Sequence, residues 1–175
     1  MNTFAVEKWF DECELCSFYT VRWENNDDSE TDRFFMKYEG TEKPYSYEAY
    51  ALFRLITHSI GNRYGAIDDF FDRSKNKAQA LPPKPKHRIP DIYEIGINFP
   101  LRLYCFRISN SIVVLFNGGI KNESTDQKSK DISLKFYEAQ SFANRISQAL
   151  QDGTIVIQKD NRTLKDFQGN SQIIL

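Results

Sequence analysis

Cysteine, histidine, glycine and proline are all scarce in this chain, and each shortage excludes a class of protein. Only Cys13, Cys16 and Cys105 are present, an odd and small number that rules out a disulfide scaffold and predicts free thiols in a reducing compartment. Eight glycines and six prolines exclude collagen-like and low-complexity chains. No apolar run approaches the roughly 18 residues of a membrane span, and Glu7 comes too early for a secretory leader. A cytoplasmic protein without a membrane partner is therefore expected. The two histidines, His58 and His87, lie far apart without companions for a metal or a nucleophile. The spacing Cys13-Glu14-Leu15-Cys16 supplies half a zinc site, but no second pair exists, and the neighbouring acids Glu12 and Glu14 disfavour a reactive thiolate. These cysteines read as buried structural residues. Gly118-Gly119 lacks the flanking spacing of a phosphate loop and reads as the end of a strand. No cofactor or metal is expected.

What is present fits one globular domain. The 175 residues are 41% hydrophobic, 14% aromatic and 27% charged, and a chain of this length typically buries around 70% of its unfolded surface. The net charge of −1 conceals an asymmetry. Residues 1–32 carry nine acids against Lys8 and Arg22. Residues 75–107 carry Lys75, Lys77, Lys84, Lys86, Arg88, Arg102 and Arg107 against Asp91 and Glu94, a local excess suited to phosphate.

The hydrophobic pattern predicts a short helix over 3–14 through Val6, Trp9, Phe10 and Cys13, then a strand over 18–23. Residues 25–32 read as an acidic loop. Ala49, Leu52, Phe53, Ile56 and Ile60 predict a helix from Ser46 to a stop at Gly61. Ala66, Ile67, Phe70 and Phe71 predict a second helix that completes a helical hairpin. Leu81-Pro82-Pro83-Lys84-Pro85-Lys86 must be extended. Three strands are expected over 92–97, 101–108 and 112–117, forming an antiparallel meander whose last strand, apolar throughout, is central and covered on both faces. Ile132, Phe136, Ala139, Ala143, Ile146 and Leu150 predict a long amphipathic helix capped by Asp131. The segments 154–157 and 172–175, around a polar turn, suggest a final hairpin or a partner-dependent extension. Strand alternation places Arg102 on one face with Tyr104 and Phe106, and Arg107 on the other.

Residues of about 43–150 resemble the RelE/ParE toxin superfamily, in particular its HigB-like, phage-derived branch. The resemblance is carried by Ile92-Tyr93-Glu94-Ile95, by Leu101-Arg102-Leu103-Tyr104-Cys105-Phe106, by Ile112 to Lys121, and by the helix through Ala139 and Ala143. It implies a single α+β domain over 1–175, with an N-terminal helical hairpin packed on a small antiparallel sheet and a long C-terminal helix. Residues 1–42 and 151–175 would be family-external extensions. It also implies the toxin component of a type II toxin-antitoxin system, acting as a metal-independent endoribonuclease on messenger RNA, in some members at the ribosome. The partners implied are RNA and a cognate antitoxin. By resemblance Arg102 is the strand arginine at the scissile phosphate and Lys121 the strand-end lysine. Lys84, Lys86, Arg88 and Lys128 are candidate RNA contacts. Asn122 stands where the family carries a second lysine, so two alternatives stay open: a ParE-like inhibitor of DNA gyrase, and a non-catalytic binding protein of the same fold.

Overall fold

The computed structural model describes residues 2–73, 76–121 and 126–175, the side chains of 126–130 excepted. The chain forms a mixed six-stranded sheet with helices on both faces. In chain order the elements are β1 (Phe4–Phe10), β2 (Ser17–Trp23), α1 (Glu30–Met36), α2 (Ser46–Arg54) continuing as a π-helix over Leu55–Tyr64, a 3-10 turn (Asp68–Phe70), β3 (Gln79–Leu81), α3 (Pro90–Ile95), β4 (Leu101–Ser109), β5 (Ile112–Ile120), α4 (Asp126–Asp152), β6 (Ile155–Ile157), β7 (Leu164–Asp166) and β8 (Ile173–Ile174). The sheet runs β3-β4-β5-β2-β1-β8, and β6 pairs with β7 apart from it.

The expected α+β class and the long C-terminal helix are present, but the described residues open with strands rather than with a helical hairpin. β1 replaces the helix expected over 3–14. It pairs antiparallel with β2 from Phe4↔Trp23 to Phe10↔Phe18, with a register shift between Lys8 and Phe10. That bulge puts Trp9 and Phe10 against the same core, breaking the period of two and imitating helical spacing. Strand β8 adds to the other side of β1 through Ala5↔Ile174 and Val6↔Ile173. Both terminal segments are thus built into the sheet, and β8 does not form the expected hairpin with 154–157. That hairpin is made by β6 with β7 instead.

The second helix of the hairpin fails for a backbone reason. Ala66 N–H donates to the Asn110 carbonyl at 2.8 Å, and the Arg107 Nε–H donates to the Ala66 carbonyl, so both polar groups of Ala66 are committed to the β4–β5 turn. Only one 3-10 turn follows. Helix α2 does not stop at Gly61; it widens into the π-helix and ends at Gly65, whose φ is +77°. A Cβ at Gly61 would collide with Cys13 Sγ. The first strand expected for the meander, 92–97, is helix α3. Pro90 occupies its first turn and Gly96, at φ +88°, follows its end, the asymmetry that proline and glycine favour.

Strands β4 and β5 form as expected, and β5 is central and buried on both faces. Its parallel neighbour is β2, in register Ser17↔Ile112 to Thr20↔Leu115. Val113 and Leu115 join Phe18, Phe34, Leu52, Ile56, Leu103 and Cys105 in one core. Val114 and Phe116 join Phe4, Tyr19, Tyr104, Phe142, Ala143 and Ile146 in the other. Helix α4 begins at Asp126, so Asp131 lies inside it rather than capping it. No helix is long and apolar enough to cross a membrane among the described residues.

Candidate anion-binding site

The end of β4 where the chain enters from Pro100 brings cations together. Arg102 lies directly opposite Gly119 in the β4–β5 ladder, and a Cβ at 119 would meet the end of the Ile132 side chain at 3.2 Å. Gly118 next to it is required for a different reason: a Cβ there would run into the Arg102 carbonyl oxygen. The Gly-Gly pair therefore lies inside β5 and lets the two strands close up, rather than ending the strand. Lys121 follows immediately, its N–H donating to the Pro100 carbonyl at 2.6 Å.

Arg102 is only 5% exposed. Its Nη1 donates to the carbonyls of Phe99 at 2.9 Å and Leu101 at 2.8 Å, while Nη2 is buried without a hydrogen-bond partner. Burial, and then the nearby charge of Arg73, lower its pKa to about 10, still protonated at neutral pH. Lys121 is lowered by burial and then by Arg102 and Arg73. Arg73 itself, lowered chiefly by burial, is held by the carbonyls of Pro82 and Pro83. The proline segment that the sequence marks as extended thus acts as a cradle for this arginine. Arg73 lowers Arg102, both arginines lower Lys121, and the Arg102 guanidinium keeps a buried donor unmatched: the electrostatics of a site that gains by receiving an anion.

Of the residues singled out in the sequence, the structure brings Arg102 and Lys121 together. It does not add the basic stretch to them: Lys86 is ion-paired with Asp72 and also donates to the Asp69 carbonyl at 2.8 Å, and Arg88 is ion-paired with Asp69. Lys84 shows only its backbone N–H, donating to Asp72 at 3.2 Å. The Lys128 side chain lies outside the described residues, as do Lys75 and Asn122. Arg107 faces away from Arg102, as alternation predicts, and is structural: it pairs with Asp68 at 3.2 Å and lies over the Phe71 ring. Arg73 was missed because nothing in its local sequence distinguishes it from a solvated loop residue. The signal that could have found it is the run of carbonyls offered by prolines 82 and 83.

The other candidates have structural explanations. Cys13 and Cys16 are buried free thiols, the latter pushed up to about 12 by burial and the neighbouring Cys13. His87 packs against Tyr93 at 4.8 Å between ring centroids. Among the described residues no group of three or more metal-ligating side chains occurs. Of the acids in 24–32, Asp32 accepts from Trp9 Nε1 at 2.9 Å and Glu30 from Arg33 at 3.3 Å.

Comparison with protein-family models, curated proteins and solved structures finds no match for this chain.

Proposed function

We propose that the chain is an RNA-directed, metal-independent endoribonuclease of the toxin type, with Arg102, Lys121 and Arg73 forming the phosphate site. The observation that carries the reading is the convergence of these cations around a buried guanidinium whose Nη2 has no hydrogen-bond partner. Cleavage of RNA by its own 2′-hydroxyl gathers negative charge on the phosphoryl oxygens, and fixed cations in a site of low dielectric favour that charge more than the ground state. Lys121, which follows β5 and is more accessible than Arg102, would meet the phosphate directly. Arg102, anchored by the Phe99 and Leu101 carbonyls, would hold the field behind it. A separate antitoxin that covers this face is the partner the reading implies.

A non-catalytic phosphate-binding protein of the same architecture is the second reading. The observation in its favour is that Arg102 spends Nη1 on main-chain carbonyls and is almost fully enclosed. Cleavage of a labelled RNA in the presence of EDTA separates the two. The endoribonuclease reading expects cleavage by the wild type, and a loss of about a hundredfold, roughly 3 kcal/mol, in Arg102→Ala, with Lys121→Ala similarly impaired. A thermal melt and Arg102→Met verify that the fold survives. Binding without cleavage by the wild type would transfer the proposal to the second reading.

A further inference from the structure

On a different part of the surface from the cationic site, β1, α1 and α2 enclose an open groove of about 890 Å³. Its floor is aromatic. Trp9 stacks on Phe35 at 5.7 Å with an interplanar angle of 14°, and Phe53 meets both rings edge-on. Its walls expose large apolar side chains: Met36 is 48%, Tyr47 79% and Tyr50 61% solvent-accessible. Isolated exposed apolar residues need no explanation, but a contiguous set lining a concavity marks a binding surface. The rim has one sign of charge. Asp28, Asp32 and Glu39 line the groove, and among the described residues no lysine, arginine or histidine does. Asp32 is oriented by the Trp9 indole N–H, which donates to its Oδ1.

We propose that this groove docks a basic amphipathic segment of a partner protein. An apolar stripe at i, i+3, i+4 and i+7 would cover Trp9, Phe35 and Met36, with lysine or arginine head groups reaching the rim carboxylates. The charge complementarity identifies the occupant: an acidic segment or a nucleic-acid strand would be repelled by the same three carboxylates, while lysine and arginine stems lie well on aromatic floors. The inference does not depend on the phosphate reading, since no residue is shared between the two sites.

The test is a selection of displayed helical peptides of about 16 residues against the full chain, followed by titration of the selected peptides in solution. Enriched peptides are expected to carry an apolar stripe flanked by lysine or arginine. Their affinity should fall about tenfold or more in Asp28→Asn/Glu39→Gln and in Tyr50→Glu, and should weaken with added salt. These surface variants are expected to melt like the wild type. The proposal is overturned by the absence of any enrichment, by enrichment of acidic or uncharged peptides, or by affinities that the groove variants leave unchanged. It is equally overturned by a concentration-dependent dimer that Tyr50→Glu abolishes, which would give the groove to a second copy of the chain.

Discussion

Glu138 of α4 and Glu30 of α1 approach one another closely enough to share a hydrogen bond, and the pair makes stability depend on pH in a defined direction. Glu30 is 1% exposed and paired with Arg33 at 3.3 Å. Glu138 is raised from 4.5 to about 7, first by burial, then by its hydrogen bond to Glu30 and by the charge of Glu30; Lys135 on its own helix and Arg33 on α1 oppose the shift. A carboxyl whose pKa rises on folding binds more protons in the folded state than in the unfolded one. Stability is therefore greatest below the unfolded pKa and falls as pH rises from about 4.5 through about 7. Fully expressed, the shift corresponds to about 3 kcal/mol; screening of the partly exposed Glu138 reduces the expected effect to about 1–2 kcal/mol. Glu138→Gln removes the titration while keeping a donor for Glu30. It should match the wild type near pH 4.5 and exceed it by about 1–2 kcal/mol at pH 8, about 3–6 °C in Tm for a chain of this size. Thermal melts of both proteins from pH 4 to 8.5 measure this. A difference that stays constant across that range, or that favours the wild type at pH 8, would refute the shared-proton reasoning.

Two further outcomes follow from the packing. Gly118→Ala should destabilise the protein by about 2 kcal/mol or more in urea unfolding, because the added methyl meets the Arg102 backbone; Gly119→Ala should cost less, since its nearest neighbour is the end of the Ile132 side chain at 3.2 Å. The triple substitution of Lys84, Lys86 and Arg88 by alanine should flatten the salt dependence of RNA binding by about one counterion rather than three, because Asp72 and Asp69 already neutralise Lys86 and Arg88; a loss near three would show that RNA displaces those carboxylates.

The parts of the fold that were legible in the sequence are those where one pattern dominates over many residues. β5 reads as central because Ile112 to Phe116 is apolar without alternation, and it is buried between two cores. α4 reads as a helix because Ala139, Ala143 and Ile146 recur along one stripe, and all three are buried against the sheet. The misread segments are short, with boundaries set by tertiary contacts. The bulge at Lys8–Phe10 disguised β1, and the bonds from Ala66 to Asn110 and Arg107 removed a helix whose side-chain spacing was acceptable. α3 carried its own signal in Pro90 and Gly96, which the β-branched residues between them outweighed. At the site, Arg102 and Lys121 stood out through a resemblance, whereas Arg73 depends on how the chain folds back through Pro82 and Pro83. The pairing of Lys86 and Arg88 with acids fourteen and nineteen residues earlier is likewise a tertiary fact that charge counting along the chain does not contain.

The central claim is that Arg73, Arg102 and Lys121 together hold an RNA phosphate. Its most direct measurement is the affinity of the full chain for a short single-stranded RNA as a function of salt, for the wild type and for Lys121→Ala and Arg73→Ala. Each phosphate contact contributes about −0.7 to the slope of log K against log salt for single strands. The account predicts a steep wild-type slope that becomes shallower by about that amount in each variant, with the fold unchanged. A wild-type slope near zero, or variants whose slopes equal that of the wild type, would contradict it.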